Sequence, residues 1–471
     1  MSRRLYIPRP YADLAMTHLG NVQRGAVFAK PGMGKTTITL TFLDFLHNTW
    51  GEDRPTLVLA PLRVARDTWA NDAKKWAHLT GIDVVPVVGD RAQREAALRR
   101  DAPVFAINYD NLVWLYEHLG KPWPFATVVA DESTKLKGFR LRQGGVRAQA
   151  LATIAHTKVE RWINLTGTPA SNGLEDLWGQ TWFLDAGHRL GKSFSAFQDR
   201  WFGMRNRKDA KTGKVYTERF AFDHAQADIQ ERIKDICLTL DPKDWFDLRD
   251  PIVNVIEVEL PAVARRHYRE VERELFTMLS DGSEVEIFNA AAKSMKCLQL
   301  ANGAVYLDPA AYGEGAWRQV HDEKLDALGE LVDETGDDPL LVLYQFKSDK
   351  ARLLLRFPEA VDLSTPDGMA AAMAGRGKLW LGHPASMGHG VDGLQEWCNT
   401  VVFFAQDWNL EYHDQALERV GPMRQLQAGK DRPVFIHYIV ARNTIDQSVM
   451  ERRATKRSVQ DTLLDYLKGK T

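Results

Sequence analysis

Residues 29–36 read Ala29-Lys30-Pro31-Gly32-Met33-Gly34-Lys35-Thr36 and follow the apolar run Ala26-Val27-Phe28, an order that predicts a strand, a phosphate-binding loop and a helix. Gly32 and Gly34 permit close approach of the backbone to a polyphosphate, and the helix N-terminus supplies N–H donors. The Lys35 ammonium suits the β- and γ-phosphates, and the Thr36 hydroxyl suits Mg²⁺. Ala29 stands where the pattern has glycine, so the surrounding sequence must support the assignment. The predicted nucleotide-binding residues of this loop are Pro31, Gly32, Met33, Gly34, Lys35, Thr36 and Thr37.

Composition and charge narrow the class of protein. The 471 residues are 44% hydrophobic and 26% charged, which is ordinary for a globular chain of about three domain-sized units. A formal net charge of -1 gives no overall attraction to nucleic acid, so a polyanion must be met by a local patch. Cys237, Cys297 and Cys398 lack CxxC spacing, which argues against a zinc ribbon or disulfide framework and fits a reducing cytosol. No apolar stretch is long enough to span a bilayer, so we expect no membrane association.

Two groups of short apolar runs predict two parallel sheets. In each group the runs alternate with longer helical stretches, which is typical of α/β folds. The first group contains residues 26–28, 57–60, 104–107, 128–130 and 162–165, and the second contains residues 340–344, 379–381, 400–404 and 434–438. The fold class is therefore α/β, with a helical insert between the two sheets.

The middle of the chain has a different pattern. Helical periodicity, as in residues 264–276, predicts a helical insert and connector over residues 184–325. Within it, residues 205–214 form a basic run, which predicts a hairpin tip or loop. A positive hairpin suits the phosphates of a polynucleotide, although a solvated loop has the same composition.

Asp131 and Glu132 follow the run Val128-Val129-Ala130, at the carboxyl end of a predicted parallel strand, where such sheets bind ligands. We expect Asp131 to hold Mg²⁺ through its water shell and Glu132 to orient or deprotonate the attacking water. The alternative is an acidic helix start after a strand, which the phosphate loop upstream makes less favoured.

Two further groups carry polar chemistry. Thr166, Gly167 and Thr168 form a turn after the fifth strand, where we expect the hydroxyls to bond the acidic pair and relay nucleotide state; a plain turn is the alternative. Gln415 and Arg419 have a helical spacing that places the amide and the guanidinium on one face, from which the arginine can reach a γ-phosphate. The alternative for Arg419 is a solvated helix residue.

These segments, in this order, resemble the superfamily-two helicase engine, and specifically the Swi/Snf-type double-stranded-DNA translocases with their compact phage-encoded members. The resemblance covers nearly the whole chain. The matching segments are Arg9-Pro10-Tyr11 for the adenine-side motif, residues 32–36 for motif I, 60–63 for motif Ia, Asp131-Glu132 for motif II, 165–169 for motif III, 386–392 for motif V, and Trp408-Asn409 with Gln415-Ala416 and Arg419 for the approach to motif VI.

The resemblance implies two RecA-like lobes, residues 1–183 and 326–471, that bind ATP and Mg²⁺ between them and move along duplex DNA as they close and open. Residues 184–325 form the insert. We expect a monomer in the cytosol of a bacterial or phage-infected host cell, targeted by DNA structure or by an unidentified protein partner.

The same resemblance assigns roles to individual residues. Asp392 matches the motif V residue that contacts the ribose in related helicases. The implied catalytic set comprises Lys35, Thr36, Asp131 and Glu132 from lobe one, and Gln415, Arg419 and an arginine finger from lobe two.

Two positions depart from the family pattern. Ala12 stands where a glutamine reads the adenine edge, so base contact falls to stacking on Tyr11 with Arg9 beside it; packing within the lobe is the alternative for Tyr11. Pro422 stands at the family's second arginine position, and Arg424 follows two residues later. We therefore predict Arg424 as the finger.

Nucleic-acid contacts are harder to predict, because translocases hold phosphates through loops and helix ends rather than through a residue code. Residues at motif-like positions and in the basic run are the candidates. They are Arg63, Asn108, Tyr109, Tyr344, Gln345, Phe346, Arg205, Arg207 and Lys208.

Three functions compete: an ATP-driven duplex-DNA translocase, a strand-separating DNA or RNA helicase, and a nucleotide-binding scaffold without turnover. The Thr166–Pro169 and Trp408-Asn409 segments favour the translocase. The scaffold is disfavoured because Lys35, Asp131 and Glu132 are all present.

The finger assignment predicts that Arg424→Ala lowers kcat for ATP by roughly 10³-fold or more, since a finger stabilises charge on the transferring phosphoryl group. Steady-state ATP turnover of Arg424→Ala and Arg419→Ala measures this. Unchanged turnover in Arg424→Ala, together with abolished turnover in Arg419→Ala, would assign the finger to Arg419 instead.

Overall fold

The computed structural model of the protein describes residues 3–120, 122–142, 145–208, 215–279, 294–387, 392–430 and 432–468. The chain forms two compact units. The first consists of Met1–Gly203, Phe220–Asp247 and Lys456–Thr471, and the second of Met204–Arg219 and Leu248–Thr455.

Strands and helices alternate through most of both units. In chain order the strands are β1 (Arg24–Ala29), β2 (Thr56–Ala60), β3 (Val84–Val87), β4 (Val104–Asn108), β5 (Thr127–Asp131), β6 (Arg161–Thr166), β7 (Phe202–Lys208), β8 (Val215–Ala221), β9 (Cys237–Leu240), β10 (Ile252–Val258), β11 (Ala304–Tyr306), β12 (Trp317–Gln319), β13 (Leu340–Leu343), β14 (Val361–Asp362), β15 (Leu379–Gly382), β16 (Thr400–Phe403) and β17 (Phe435–Ala441).

The helices begin at the α1 helix near the N-terminus and end with the long α19 helix. In chain order they are α1 (Pro10–Asn21), α2 (Lys35–Asp44), α3 (Trp69–Lys75), α4 (Arg91–Leu98), α5 (Leu112–Leu119), α6 (Val146–Ala155), α7 (Asp176–Asp185), α8 (Phe194–Trp201), α9 (Ala225–Ile233), α10 (Ala262–Leu279), α11 (294–302), α12 (Pro309–Tyr312), α13 (Glu323–Glu334), α14 (Lys347–Arg356), α15 (Pro366–Met373), α16 (Pro384–Met387), α17 (Leu410–Leu417), α18 (Pro422–Gln427) and α19 (Ile445–Lys468). In the described ranges, no helix combines the length and apolar character needed to cross a bilayer.

The first unit is built on a parallel sheet with the strand order β3-β4-β2-β5-β6-β1-β9. Strands β2, β4 and β5 are buried along their whole length, as expected where both faces of a parallel sheet are covered. Large aromatic side chains, including Trp162, Trp178 and Phe183, fill the core. The phosphate loop and the acidic pair thus follow two strands, β1 and β5, that are separated by β6 alone.

The second unit contains a second parallel sheet, with the order β10-β17-β16-β13-β15-β14. Strands β13, β15 and β16 are fully buried and consist of short apolar runs. The predicted α/β class with two parallel sheets is therefore confirmed.

The residues predicted as a helical insert contribute strands to both sheets. β9 extends the first sheet beside β1, and β10 forms an edge of the second beside β17. Helix α10 does bear out the helical periodicity over residues 264–276. The main change of unit lies after Asp247, so the predicted boundaries at 183 and 325 do not coincide with it. Hydrogen bonds between a strand and a partner far away in the sequence decide to which unit a segment belongs. Helical periodicity carries no information about those bonds.

Strands β7 and β8 pair as a two-stranded sheet, as expected for the flanks of a basic hairpin. Arg205 is exposed on β7, and Arg207 and Lys208 end the same strand. The rest of the basic run, residues 209–214, lies outside the described residues.

Strand β3 was not predicted from the sequence, because Pro86 interrupts its apolar run. Proline removes a backbone donor and is tolerated at sheet edges, and β3 is the edge strand of the first sheet.

A buried ion pair joins helices of the second unit. The Lys324 Nζ lies 2.6 Å from Asp446 Oδ2, and both side chains are fully buried. The same ammonium donates to Asn302 Oδ1 at 2.8 Å, and the Asn302 amide donates to Asp349 Oδ2 at 3.0 Å. Burial raises the pKa of Asp349 to about 6. The network therefore ties α13, α14 and α19 to the end of α11.

Replacing Lys324 by methionine should lower the free energy of unfolding by about 3–5 kcal/mol, because it leaves the Asp446 carboxylate buried without its partner. Urea denaturation followed by circular dichroism measures the loss. Lys350→Met is the matched control: its partner Asp362 is partly exposed, and loss of that pair should cost only about 0–1 kcal/mol. Equal losses in the two variants would contradict the assignment.

Candidate nucleotide-binding site

The phosphate loop joins β1 to α2, as the sequence predicts. Gly32 and Gly34 have φ angles of 87° and 72°, which residues with a side chain rarely adopt. Gly34 is the N-cap of α2, and within the described structure no side chain caps this end. A helix N-terminus is favourable for an anion, so this end of α2 suits a bound phosphate.

Lys35 and Met33 hold the loop in shape. The Lys35 Nζ donates to the carbonyl of Ala29 at 2.6 Å. Met33 is fully buried, and its N–H donates to the carbonyl of Lys30 at 3.3 Å. The loop is also tied to the end of β9, since the Lys30 Nζ lies 3.1 Å from Asp241 Oδ2.

The remaining loop positions differ in exposure. Pro31 and Thr36 are half-buried, so the Thr36 hydroxyl remains a candidate Mg²⁺ ligand. Thr37 is buried, and its hydroxyl donates to Asp72 Oδ2 at 3.0 Å and accepts from Trp76 Nε1 at 3.2 Å. The Thr37 side chain therefore packs α2 against α3, and the assignment of Thr37 to the nucleotide stays a prediction.

Asp131 ends β5 with a buried side chain. Trp69 Nε1 donates to its Oδ2 at 2.9 Å, and the Tyr109 hydroxyl donates to its backbone carbonyl at 3.0 Å. Burial raises the pKa of Asp131, while the Trp69 hydrogen bond and the positive charge of Lys35 act in the opposite direction. Asp131 is thus electrostatically coupled to Lys35. No group of three or more His, Cys, Asp or Glu side chains forms a metal-binding cluster in the described part of the chain.

Glu132 has a left-handed backbone, with φ 60° and ψ 59°. A side-chain-bearing residue in this region costs on the order of 1–3 kcal/mol and is typical of functional sites. The strain turns the chain sharply after β5 into the 3₁₀ turn Ser133–Leu136. Glu132 therefore lies at a sharp turn of the backbone directly after Asp131.

The turn after β6 packs directly on the phosphate loop. A Cβ built on Gly167 would lie 3.1 Å from Pro31 Cδ and 3.2 Å from the Ala29 carbonyl oxygen. The Thr166 hydroxyl accepts from the N–H of Thr168 at 3.1 Å. Among the described residues, neither threonine hydroxyl bonds the acidic pair, contrary to expectation. Gly167 therefore lies close against the phosphate loop.

The predicted residues of the second unit form two local pairs. Gln415 is buried on α17, and Arg419, one turn later, donates from Nε to the Gln415 carbonyl at 3.2 Å. Arg424 on α18 donates from Nη1 to Asp392 Oδ1 at 3.2 Å. Asp392, predicted to contact a ribose, is thus paired with the predicted finger. The neighbouring motif V residues 388–391 lie outside the described residues.

The adenine-side motif is placed differently from expectation. Tyr11 is only 5% exposed and packs edge-to-face against Trp245 and Phe246. The burial of Tyr11 favours packing within the first unit over stacking on a base. Arg9 is exposed, with its guanidinium 5.5 Å from the centre of the Phe246 ring.

A comparison with protein families identifies the chain. The SNF2-related domain matches residues 15–302, more than half of the sequence. The chain belongs to the SNF2-related family. This confirms the predicted resemblance and the predicted class of enzyme, an ATP hydrolase.

Curated relatives of this SNF2-related chain include a phage protein and much longer eukaryotic proteins. Protein p41 of Acyrthosiphon pisum secondary endosymbiont phage 1 is 50% identical over 471 residues, which cover 99% of this chain and 100% of p41. Protein CHROMATIN REMODELING 5 of Arabidopsis thaliana is 24% identical over 92% of this chain, and chromodomain-helicase-DNA-binding protein 1 of Homo sapiens is 22% identical over 92%. The chain spans only 25% of the length of each of these two proteins.

A solved structure of the Sulfolobus solfataricus SWI2/SNF2 ATPase core in complex with dsDNA aligns with 98% of the SNF2-related chain. The alignment covers 93% of that core, with 20% sequence identity and a TM-score of 0.44.

The predicted nucleic-acid residues of the SNF2-related chain divide by burial. Arg63 and Arg205 are exposed and Gln345 is half-buried, so these three remain candidates. The other described side chains, Asn108, Tyr109, Tyr344 and Phe346, are buried, which corrects their assignment to a DNA-facing surface. Tyr109 supports Asp131 instead, and Phe346 packs in a small core with Leu298 and Val449.

Two residues that support the segments around the site, without belonging to the predicted site residues, did not follow from the sequence: Trp69 and Gln180. Trp69 bonds Asp131, and Gln180 bonds Ser133, the residue after the acidic pair. Neither belongs to a spacing pattern, because each reaches its partner only through the tertiary fold.

The packing at Gly167 generates a prediction. Gly167→Ala should weaken ATP binding by about tenfold or more, because the added methyl group pushes on the loop backbone and overpacking costs about 1–3 kcal/mol. Titration with a fluorescent ATP analogue measures the change in Kd. Gly138→Ala is the control, since no atom lies within 4 Å of its added Cβ. An unchanged Kd in Gly167→Ala would show that the loop does not depend on this contact.

Proposed function

We propose that this SNF2-related chain couples ATP hydrolysis to movement along duplex DNA. The observation that carries the proposal is the position of Lys35 and Asp131 after strands β1 and β5, which one strand separates in the same parallel sheet, within a domain matched to the SNF2-related family. Relatives named for chromatin remodelling and for helicase and DNA binding support DNA as the polynucleotide. The similarity to a phage protein supports the predicted place of action, a bacterial or phage-infected host cell.

In the proposed site, the backbone of Gly32 and Gly34 and the N-terminus of α2 bind the phosphates. Lys35 contributes a positive charge to the β- and γ-phosphates. Thr36 and Asp131 are suited to hold Mg²⁺, because hydroxyl and carboxylate oxygens are the ligands that this ion prefers. When bound, Mg²⁺ supplies charge neutralisation on the phosphate oxygens.

The attacking water is assigned to Glu132. Its carboxylate accepts a hydrogen bond from the water and holds it in line with the γ-phosphate. The strained backbone at Glu132 supports this role, since it fixes the direction in which the side chain leaves β5. Trp69 and Tyr109 donate hydrogen bonds to the neighbouring Asp131.

On the family resemblance alone, we assign Gln415, Arg419 and Arg424 to the γ-phosphate. In the described structure Arg424 is paired with Asp392, an exposed carboxylate. Exposed ion pairs are weak, about 0–1 kcal/mol, so this pair exchanges readily for a phosphate oxygen.

Exposed basic side chains are the proposed DNA contacts. Arg63 follows β2, and Arg205 lies on the hairpin strand β7. Contacts of this kind position a duplex through its phosphates without reading its sequence.

The proposal predicts that duplex DNA raises ATP turnover by about tenfold or more, whereas single-stranded DNA and RNA raise it much less. Turnover is measured without nucleic acid and with each of the three. A triplex-displacement assay follows movement along the duplex, and a forked-duplex assay follows unwinding. Lys35→Ala is the control for activity of this site and should abolish both turnover and displacement.

The turnover, triplex-displacement and fork assays together distinguish the translocase from the helicase and the scaffold. Unwinding of the fork without triplex displacement would identify a strand-separating helicase. Turnover that is absent, or unchanged by every nucleic acid, would favour the scaffold and overturn the proposal.

A further inference from the structure

Gln180 lies in the middle of α7 and connects the two catalytic segments of the first unit. Its Oε1 accepts a hydrogen bond from the Ser133 hydroxyl at 2.8 Å. Its Nε2 donates to the Pro169 carbonyl at 2.7 Å and to the Asp176 carbonyl at 2.9 Å. One side-chain amide therefore bonds the segment after the acidic pair and the segment after the Gly167 turn.

The hydrogen bonds of Gln180 lie in the protein interior. Ser133 is 0% exposed and Gln180 is 2% exposed, so water does not compete for either group. Both N–H donors of the amide and its oxygen are engaged, which fixes the orientation of the side chain. In a buried position a lost partner leaves an unsatisfied polar group, and this penalises any displacement of one segment without the other.

The backbone of α7 is fixed to the same two segments. The Gln180 carbonyl accepts from Asn164 Nδ2 at 3.0 Å, which anchors α7 to β6. A Cβ on Gly179 would lie 2.6 Å from the Leu136 carbonyl and 2.7 Å from the Lys137 carbonyl. The helix therefore lies directly against the 3₁₀ turn that begins at Ser133.

A second link runs parallel to the first. Asp176 Oδ2 accepts from the Asn172 N–H at 2.8 Å and from the Ser171 hydroxyl at 3.2 Å. The Lys137 Nζ lies 3.4 Å from the same carboxylate oxygen and donates to the Ser171 hydroxyl at 3.0 Å. The Lys137 and Asp176 side chains of this second link are more exposed than Gln180 and Ser133. The Gln180 amide therefore makes the connection between the two segments that is shielded from water.

The connection extends to the phosphate loop. Pro169 is two residues after Gly167, where an added Cβ would lie 3.1 Å from Pro31 Cδ and 3.2 Å from the Ala29 carbonyl oxygen, and Ser133 is two residues after Asp131. A shift at the loop therefore reaches the acidic pair through the Gly167 turn and the Gln180 amide, without a direct hydrogen bond from Thr166 or Thr168.

We propose that Gln180 is a positioning residue that keeps the Gly167 turn and the acidic pair in a fixed position relative to each other. We further propose that stimulation of ATP turnover by DNA depends on the Gln180 side-chain amide. The inference rests on the proposed function and specifies how the site responds to DNA.

Gln180→Leu removes all three side-chain hydrogen bonds at similar volume. The variant should bind a fluorescent ATP analogue with a Kd within about twofold of the parent and keep its basal turnover, while DNA stimulation falls by about tenfold. Gln180→Glu keeps an acceptor for Ser133 but loses the donor to Pro169, so it should show an intermediate loss. Gln198→Leu is the matched control, because the Gln198 amide on α8 donates to the Glu175 side chain at 2.7 Å and, among the described residues, bonds neither Ser133 nor Pro169.

A double-mutant cycle with Ser133→Ala tests the pair directly. If the hydroxyl and the amide act together, the stimulation lost in Ser133→Ala/Gln180→Leu is less than the product of the two single losses. Hydrogen exchange adds a readout that does not depend on turnover. DNA should change the exchange of residues 131–137 and 165–170 together in the parent chain, and only one of these segments in Gln180→Leu.

The outcomes distinguish this inference from the proposed function. A parent chain that no nucleic acid stimulates overturns both. Normal stimulation of Gln180→Leu in a stimulated parent overturns only the role of Gln180. A proportional loss of ATP affinity, basal turnover and stimulation also overturns it, since that is what a merely structural glutamine predicts. If Gln180→Leu does not fold, Ser133→Ala and Gln180→Glu decide by the same measurements.

Discussion

A buried carboxylate at the end of a parallel strand is the constraint on which the chemistry of the first unit depends. Desolvation raises the pKa of Asp131, and the Trp69 indole and the Lys35 charge oppose that effect. Indole, ammonium and carboxylate must therefore be assembled together. The strand order β5-β6-β1 brings the catalytic segments together, because the acidic pair, the Gly167 turn and the phosphate loop follow three neighbouring strands of one sheet.

The sequence was most informative where the chemistry is local. The phosphate loop, the acidic pair and the Gly167 turn each occupy a few consecutive residues between a strand and the next turn or helix, so residue type and spacing sufficed to predict their positions. Most buried strands were predicted for the same reason, since runs such as residues 57–60 and 104–107 are apolar throughout. The α/β class and the family followed from these segments.

Tertiary contacts set the limit of prediction. Trp69 is 62 residues from Asp131 in the sequence, and Ser133 is 47 residues from Gln180, so no spacing rule links them. Strands β9 and β10 were missed because their membership depends on distant hydrogen-bond partners. Tyr109, Tyr344 and Phe346 were assigned to DNA, yet an aromatic residue after a parallel strand is equally suited to close the core. Sequence alone does not give the direction of the side chain.

The pairing of β10 with β17 has a consequence for biosynthesis. The first sheet is complete once residue 240 has emerged from the ribosome, whereas Ile252 must wait for Phe435, which is 183 positions later (435 minus 252). At about 5–20 residues per second this delay lasts roughly 10–40 s. During it, an apolar strand that includes Ile252, Val253 and Val255 has no neighbour to cover its backbone. In this interval the unpaired backbone of β10 is a template on which another chain can form strand hydrogen bonds.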